Sequence, residues 1–159
     1  MKYRTGIGYD VHQLRDGLPF YLGGVKVEHT KGAVGHSDAD VLIHAICDAL
    51  LGAANLGDIG KHFPDTDVKY KGIDSKILLK ETYELVKKKG YVIENIDTVL
   101  CLQKPKVAPY LPLMKTTLSN VLGIDEDDIS IKATTTEYLG FEGREEGVSA
   151  LANVLIKTE

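Results

Sequence analysis

Apolar and polar positions alternate with two different periods along this chain, and the changes of period divide it into strands and helices. From Arg4 to Val11 the period is two, which predicts a strand carrying Asp10 and His12 on one face. A second strand fits Phe20 to Glu28, with Gly23-Gly24 suggesting a bulge or a close backbone approach. From about Asp38 to Asn55 the apolar residues Val41, Leu42, Ile43, Ala45, Ile46, Leu50 and Leu51 take a helical spacing. Ser37 followed three residues later by Asp40 reads as a capping box at its start. A second helix runs from Ser75 to the Lys87-Lys88-Lys89-Gly90 stop, and a strand from Tyr91 to Leu102 follows. A third helix spans Leu111 to Leu122, with Leu111, Met114, Leu118, Val121 and Leu122 as its core stripe and Gly123 as its end. Ile129 to Thr134 alternates as a strand, and Val148 to Lys157 closes the chain as another. This alternation places the chain in the α/β class.

Composition narrows the class of protein. With 159 residues, 43% hydrophobic, and no linker-like stretch, residues 1–159 are expected to form one domain with a real core. The start, Met1-Lys2-Tyr3-Arg4-Thr5-Gly6, is too polar for a signal peptide and no apolar run reaches membrane-spanning length, so a cytoplasmic protein with no membrane partner is expected. A net charge of −4 without a basic stripe argues against nucleic acid as a partner. Cys47 and Cys101 are far apart and form no C-x-x-C, which suits two small apolar residues in a reducing compartment.

The chemistry gathers near the start. Asp10-Val11-His12 and His36-Ser37-Asp38-Ala39-Asp40-Val41-Leu42-Ile43-His44 together offer one carboxylate and two or three imidazoles, a ligand set that holds a divalent metal with one position open. A closed structural zinc site fits less well, because such sites are rich in cysteine. His36 is expected at a helix N-terminus, where free N–H groups favour anions, and His44 about two turns further in. Asp40 and Asp48 flank His44 at i−4 and i+4, so either could hold its far ring nitrogen.

Three further stretches carry polar groups. Residues 56–72 are too long for a simple connector and suit a binding loop or lid, although Asp58, Asp65 and Asp67 also read as caps and turn formers. Gln103-Lys104-Pro105-Lys106-Val107-Ala108-Pro109 is equally consistent with a phosphate or base cradle and with a plain strand-to-helix loop. Thr134-Thr135-Thr136-Glu137 is at home in a strand, yet three hydroxyls beside a carboxylate also suit a phosphate with its magnesium.

Four motifs resemble those of the 2-C-methyl-D-erythritol 2,4-cyclodiphosphate synthase family of the non-mevalonate isoprenoid pathway. They are D-V-H at Asp10 to His12, H-S-D-A-D-V-L-I-H at His36 to His44, L-G-D-I-G-K-H-F-P-D-T-D at Leu56 to Asp67, and K-A-T-T-T-E-Y-L-G-F-E-G-R at Lys132 to Arg144. They fall in the family's order across almost the whole chain.

The resemblance implies an α/β (α+β sandwich) fold, with a mixed β-sheet and helices packed on one face, assembling as a homotrimer with active sites between subunits. It implies a lyase that cyclises 4-diphosphocytidyl-2-C-methyl-D-erythritol 2-phosphate by attack of the 2-phosphate on the β-phosphorus, releasing CMP. By matching position, Asp10, His12 and His44 are implied as zinc ligands, and Glu137 as ligand of a second cation, magnesium or manganese. His36 and Thr135 match transition-state contacts, with Ser37 beside His36. Asp58, Ile59, Gly60, Phe63, Pro64, Asp65, Thr66 and Asp67 match the loop around the methylerythritol phosphate. Leu102, Gln103, Lys104, Pro105, Lys106, Val107, Ala108 and Thr134 match the cytidine pocket, with Thr136 beside Glu137 at the phosphates. Phe141 and Arg144 match the wall and diphosphate contact of an axial cavity for an isoprenoid diphosphate, or else ordinary interface packing. A metal-dependent phosphohydrolase using the same ligands, and a catalytically silent trimeric binding module, are the alternative readings.

Overall fold

The computed structural model describes residues 1–159. Its main sheet has five strands in the order β4-β1-β7-β5-β6: β1 (Tyr3–Asp16), β4 (Lys31–Ala33), β5 (Tyr91–Cys101), β6 (Ile129–Thr134) and β7 (Gly147–Thr158). All neighbours are antiparallel except β5 and β6, which run parallel, so the expected mixed sheet is present. Helices α1 (Val41–Ala53), α3 (Ser75–Lys88) and α4 (Leu111–Leu122) supply the apolar layer. No helix is long and apolar enough to cross a membrane.

The contact of α1 with β1 has a sequence cause. Gly6 and Gly8 lie on the covered face of β1, where a Cβ would collide with the carbonyl oxygens of Ala49 and Ala45. Ala45, Ala49 and Ala53, each four residues after the last, present only methyl groups to the strand, so backbone meets backbone. Arg4 secures the far end, its Nε donating to the Ala53 carbonyl at 2.5 Å. Ten of the thirteen α1 residues are buried, and each large apolar side chain among them contributes about 1.5–3 kcal/mol. The two polar residues of α1, His44 and Asp48, are half-buried, and the close approach of helix to strand brings His44 beside β1.

Several expected boundaries move. The first strand runs beyond Val11 to Asp16, because its second half pairs with β4 and β7. Phe20 to Glu28 is not one strand with a bulge. It is a hairpin, β2 (Phe20–Leu22) with β3 (Val25–Val27), turned by Gly23 and Gly24 at φ of 58° and 77°. The first helix begins at Val41, and its cap is Asp40 rather than Ser37: the Asp40 carboxylate accepts from Ile43 N–H at 3.0 Å. The same carboxylate accepts from Gly23 N–H (3.0 Å) and Gly24 N–H (2.7 Å), so this fully buried group ties helix to hairpin. Residues 56–72 contain a short helix, α2 (Ile59–His62), and a 3-10 turn at Val68–Tyr70, capped by Asp58 and Asp67 respectively.

The opposite face of the sheet is uncovered. Ile7 (74% exposed), Tyr9, Val11 and Leu151 lie there, with Tyr9 paired directly to Leu151. Cys47 is buried and Cys101 half-buried, both as free thiols.

Candidate metal centre and binding cleft

Asp10 and His12 project from the same face of β1, and α1 brings His44 across to meet them. Asp10 Oδ2 lies 2.9 Å from His12 Nε2 and 3.2 Å from His44 Nδ1, and the two ring nitrogens are 3.2 Å apart. The tautomer of His12 follows from its outer nitrogen. Nδ1 lies 2.9 Å from the Val34 carbonyl oxygen, which can only accept, so Nδ1 carries the proton and Nε2 turns a lone pair inward. A carboxylate and a lone pair at 2.9 Å repel unless a cation sits with them. In the absence of metal a proton serves. Burial works against charge on both groups, but the shared hydrogen bond wins: Asp10 is held down at about 2, and His12 is raised above its ordinary 6.5. Oxygen and nitrogen donors of this kind, all within 4.8 Å of one another, fit a divalent metal with room for a further ligand.

The partner of His44's far nitrogen is neither of the two expected aspartates. Asp40 is spent on the cap and the hairpin, and Asp48 accepts from Ile59 N–H at 2.7 Å. His44 Nε2 instead faces Ser75 Oγ at 2.9 Å and Ser37 Oγ at 3.2 Å. Nothing in the local sequence pointed to Ser75. It lies 31 residues from His44 and reads as an ordinary helix start.

The metal group forms one end of a cleft of ≈ 400 Å³ lined by His36, Ser37, Ile59, Gly60, Phe63, Pro64 and Asp65, with Gly35, Tyr70 and Leu78. The loop expected to enclose a ligand is therefore beside the metal group. Its attachments are specific. Asp48 holds the start of α2, Asp58 caps that helix through Lys61 N–H (3.0 Å), and Phe63 packs edge-on against Tyr70 with ring centroids 5.5 Å apart. Asp67 N-caps the 3-10 turn through Lys69 N–H (2.9 Å), while Thr66 and Asp65 are exposed. His36 does not stand on the first turn of α1, because the cap lies four residues later at Asp40. Its Nε2 donates to the Asp67 carbonyl at 3.0 Å, and its own carbonyl accepts from Gly72 N–H, so it ties the loop to the metal motif.

Glu137 and the threonine run are not brought to this cleft within one chain. Thr134 and Thr135 line a second pocket with Leu102, Gln103, Pro105, Lys106, Val107 and Ala108. Glu137 lines a neighbouring one with His29, Lys104, Thr135 and Tyr138. Neither shares a residue with the metal cleft. Glu137 is exposed at φ 54° and Thr135 Oγ1 accepts its N–H at 3.3 Å, while Thr136 Oγ1 donates to the Leu139 carbonyl. Phe141 packs against Gly147, and Arg144 pairs with Glu146, Nε to Oε1 at 2.9 Å.

Fold and site together define an α/β protein with an Asp-His-His metal group at a ligand-sized cleft. Comparison with known proteins gives the family: the model of the YgbB family matches residues 3–157, and the chain belongs to that family. The chain is 62% identical over 159 residues, all of both chains, to a protein of Bacteroides thetaiotaomicron named 2-C-methyl-D-erythritol 2,4-cyclodiphosphate synthase. A Parabacteroides distasonis protein of the same name is 62% identical over 99% of this chain and 98% of its own. Among solved structures, the bifunctional IspDF of Campylobacter jejuni is similar at a TM-score of 0.96 and 44% identity. The match covers 99% of this chain and 43% of that longer one. A CDP complex of IspF from Plasmodium falciparum matches at a TM-score of 0.87 and 35% identity, over 99% of this chain and 97% of that one. The resemblance carried by the four motifs is borne out.

Proposed function

We propose that residues 1–159 act as one domain that converts 4-diphosphocytidyl-2-C-methyl-D-erythritol 2-phosphate to 2-C-methyl-D-erythritol 2,4-cyclodiphosphate and CMP. The observation that carries this reading is the convergence of Asp10, His12 and His44 on one point at the mouth of the His36–Asp65 cleft. Full-length likeness to proteins that bear the synthase name supports it, as does likeness to a CDP complex.

The reaction joins an oxygen of the 2-phosphate to the β-phosphorus and breaks the bond from that phosphorus to the oxygen it shares with the α-phosphorus. CMP leaves with that oxygen, and no water is consumed. The task is to hold two anions in line, so positioning and charge neutralisation supply most of the catalysis. Zinc on Asp10, His12 and His44 would provide a Lewis acid and template, and magnesium or manganese on Glu137 would neutralise the diphosphate. His36 and Thr135 contact the transferring phosphoryl group, with Ser37 as a further hydroxyl donor. Asp58, Ile59, Gly60 and Phe63 to Asp67 enclose the methylerythritol end. Leu102 to Ala108 with Thr134 receive the cytidine, and Thr136 stands by Glu137.

The catalytic unit in this proposal is a homotrimer in which one chain's metal cleft faces its neighbour's cytidine pocket. Two observations favour it: the pockets share no residue within a chain, and the outer sheet face leaves Ile7, Tyr9, Val11 and Leu151 without a cover. The proposal assigns Phe141 and Arg144 to a cavity on the trimer axis for an isoprenoid diphosphate, which would draw Arg144 away from Glu146. Free thiols and the lack of a membrane-crossing helix are consistent with a cytoplasmic enzyme. Incubation of the substrate with the protein, zinc and magnesium, followed by phosphorus NMR, tests the activity. The cyclic diphosphate and CMP are expected; monophosphates alone would favour a phosphohydrolase, and unchanged substrate a binding module.

A further inference from the structure

Ser75 is the first residue of α3 and is fully buried. Its N–H donates to Asp38 Oδ2 at 2.9 Å and its hydroxyl to Asp38 Oδ1 at 2.5 Å. Asp38 also accepts from Asp40 N–H at 3.2 Å. An ionised carboxylate has no proton to give, so the direction of this chain of hydrogen bonds is set. Ser75 spends its only hydroxyl proton on Asp38 and can offer His44 Nε2, 2.9 Å away, nothing but a lone pair. The proton between them must belong to Nε2. When a cation sits with Asp10, a neutral His44 then bears its lone pair on Nδ1, the atom that faces Asp10 and His12; without one, the Asp10 carboxylate 3.2 Å away draws a proton to Nδ1 against this lock.

We propose that Asp38 and Ser75 are positioning residues of the metal centre, holding His44 in the one tautomer that can ligate through Nδ1. This rests on the reading of Asp10, His12 and His44 as a metal site. Ser37 assists without being able to impose the tautomer: its Oγ accepts from Ala39 N–H at 3.1 Å, and no carboxylate claims its proton. His12 achieves the same end through the Val34 carbonyl, so both rings are locked from behind.

The lock predicts a reversal when its anchor changes. In Asp38→Asn the single amide oxygen goes to Ser75 N–H (2.9 Å), the shorter of the two backbone bonds to Asp38, over Asp40 N–H (3.2 Å), and the amide NH2 then faces Ser75 Oγ and Asp40 N–H. Oγ becomes an acceptor, its proton turns to His44 Nε2, and the imidazole proton moves to Nδ1, where it blocks the metal. Ser75→Ala removes the intermediary without supplying the reverse signal. The test uses full-length protein with 15N-labelled histidine, stripped of metal, in alkaline buffer, together with zinc titration against a competing chelator. Wild type should show a larger share of His44 protonated at Nε2 than either variant, against the pull of the Asp10 carboxylate on Nδ1. Asp38→Asn should show it protonated at Nδ1, with zinc affinity lowered about 10–100-fold. Ser75→Ala should give a mixture of tautomers and a smaller loss. A folded Asp38→Asn protein with wild-type tautomer and zinc affinity overturns the proposal. If that variant does not fold, unchanged tautomer and affinity in Ser75→Ala overturn it instead. A wild-type protein that takes up no zinc at all fails earlier, overturning the metal centre itself and the lock with it.

Discussion

Asp10 Oδ2 lies 2.9 Å from His12 Nε2, close enough for one cation to serve both, and the identity of that cation governs how the protein responds to pH and to metal. Without metal, Asp10 sits at about 2 and His12 above 6.5, each because the other favours its charged form against the opposing effect of burial. The raised His12 contributes stability that is complete below pH 6.5 and is lost as pH rises through its folded value. The lowered Asp10 contributes stability that is complete above 3.8 and is lost as pH falls towards 2. The stability difference between metal-free wild type and Asp10→Asn should therefore be largest between these limits, as read from urea denaturation at a series of pH values. A difference that does not vary with pH would contradict the shared proton. In the proposed centre zinc takes the place of that proton, so loading should remove the alkaline decline.

Replacing His44 with alanine deletes one of the three proposed ligands while leaving the apolar side chains of α1 in place. Bound zinc and activity should both be lost, with oligomeric state and helix content unchanged, as measured by metal analysis and sedimentation. Full zinc occupancy in this variant would refute the ligand assignment.

Asp40 is a structural residue despite standing four positions from His44. In Asp40→Asn one of its two accepting oxygens becomes an NH2 facing a backbone N–H, either of Gly24 or of Gly23 and Ile43. The expected cost is about 1–3 kcal/mol. That is less than the ~5–15 kcal/mol stability of a typical domain, so the variant should fold with a lowered melting temperature and normal zinc content. Loss of zinc without loss of stability would reverse this reading.

The proposed sharing of the active site between subunits makes a specific prediction for mixed assemblies. His44→Ala and Glu137→Gln should each be nearly inactive alone, the latter retaining zinc but responding weakly to magnesium. Co-expressed in equal amounts, they should recover activity, because a site needs intact His44 from one chain and intact Glu137 from the next, which occurs at about a quarter of sites in a randomly mixed trimer. No recovery would place both residues of a working site in the same chain.

The convergence of Asp10, His12 and His44 was legible because it depends on local geometry: residues two apart share a strand face, and His44 falls near the start of the helix that packs on that face. The N-cap was misplaced by three residues because Ser37 and Asp40 carry equally good capping groups, and only the hairpin, which turns Gly23 and Gly24 towards Asp40, decides between them. Ser75 escaped notice for a similar reason. Its partner Asp38 is 37 residues away, and that pairing exists only once α3 has packed beside α1. The separation of Glu137 from Asp10 also lies outside any periodicity, since it follows from the order of strands in the sheet.

The central claim is that this centre directs one phosphate of the substrate to attack another rather than directing water. Running the reaction with zinc and magnesium in 18O-labelled water and examining the products by mass spectrometry separates the two. Cyclisation predicts CMP and a cyclic diphosphate that both carry no 18O beyond the unreacted substrate. One labelled oxygen in each turnover's products would show that water is the nucleophile and contradict the account.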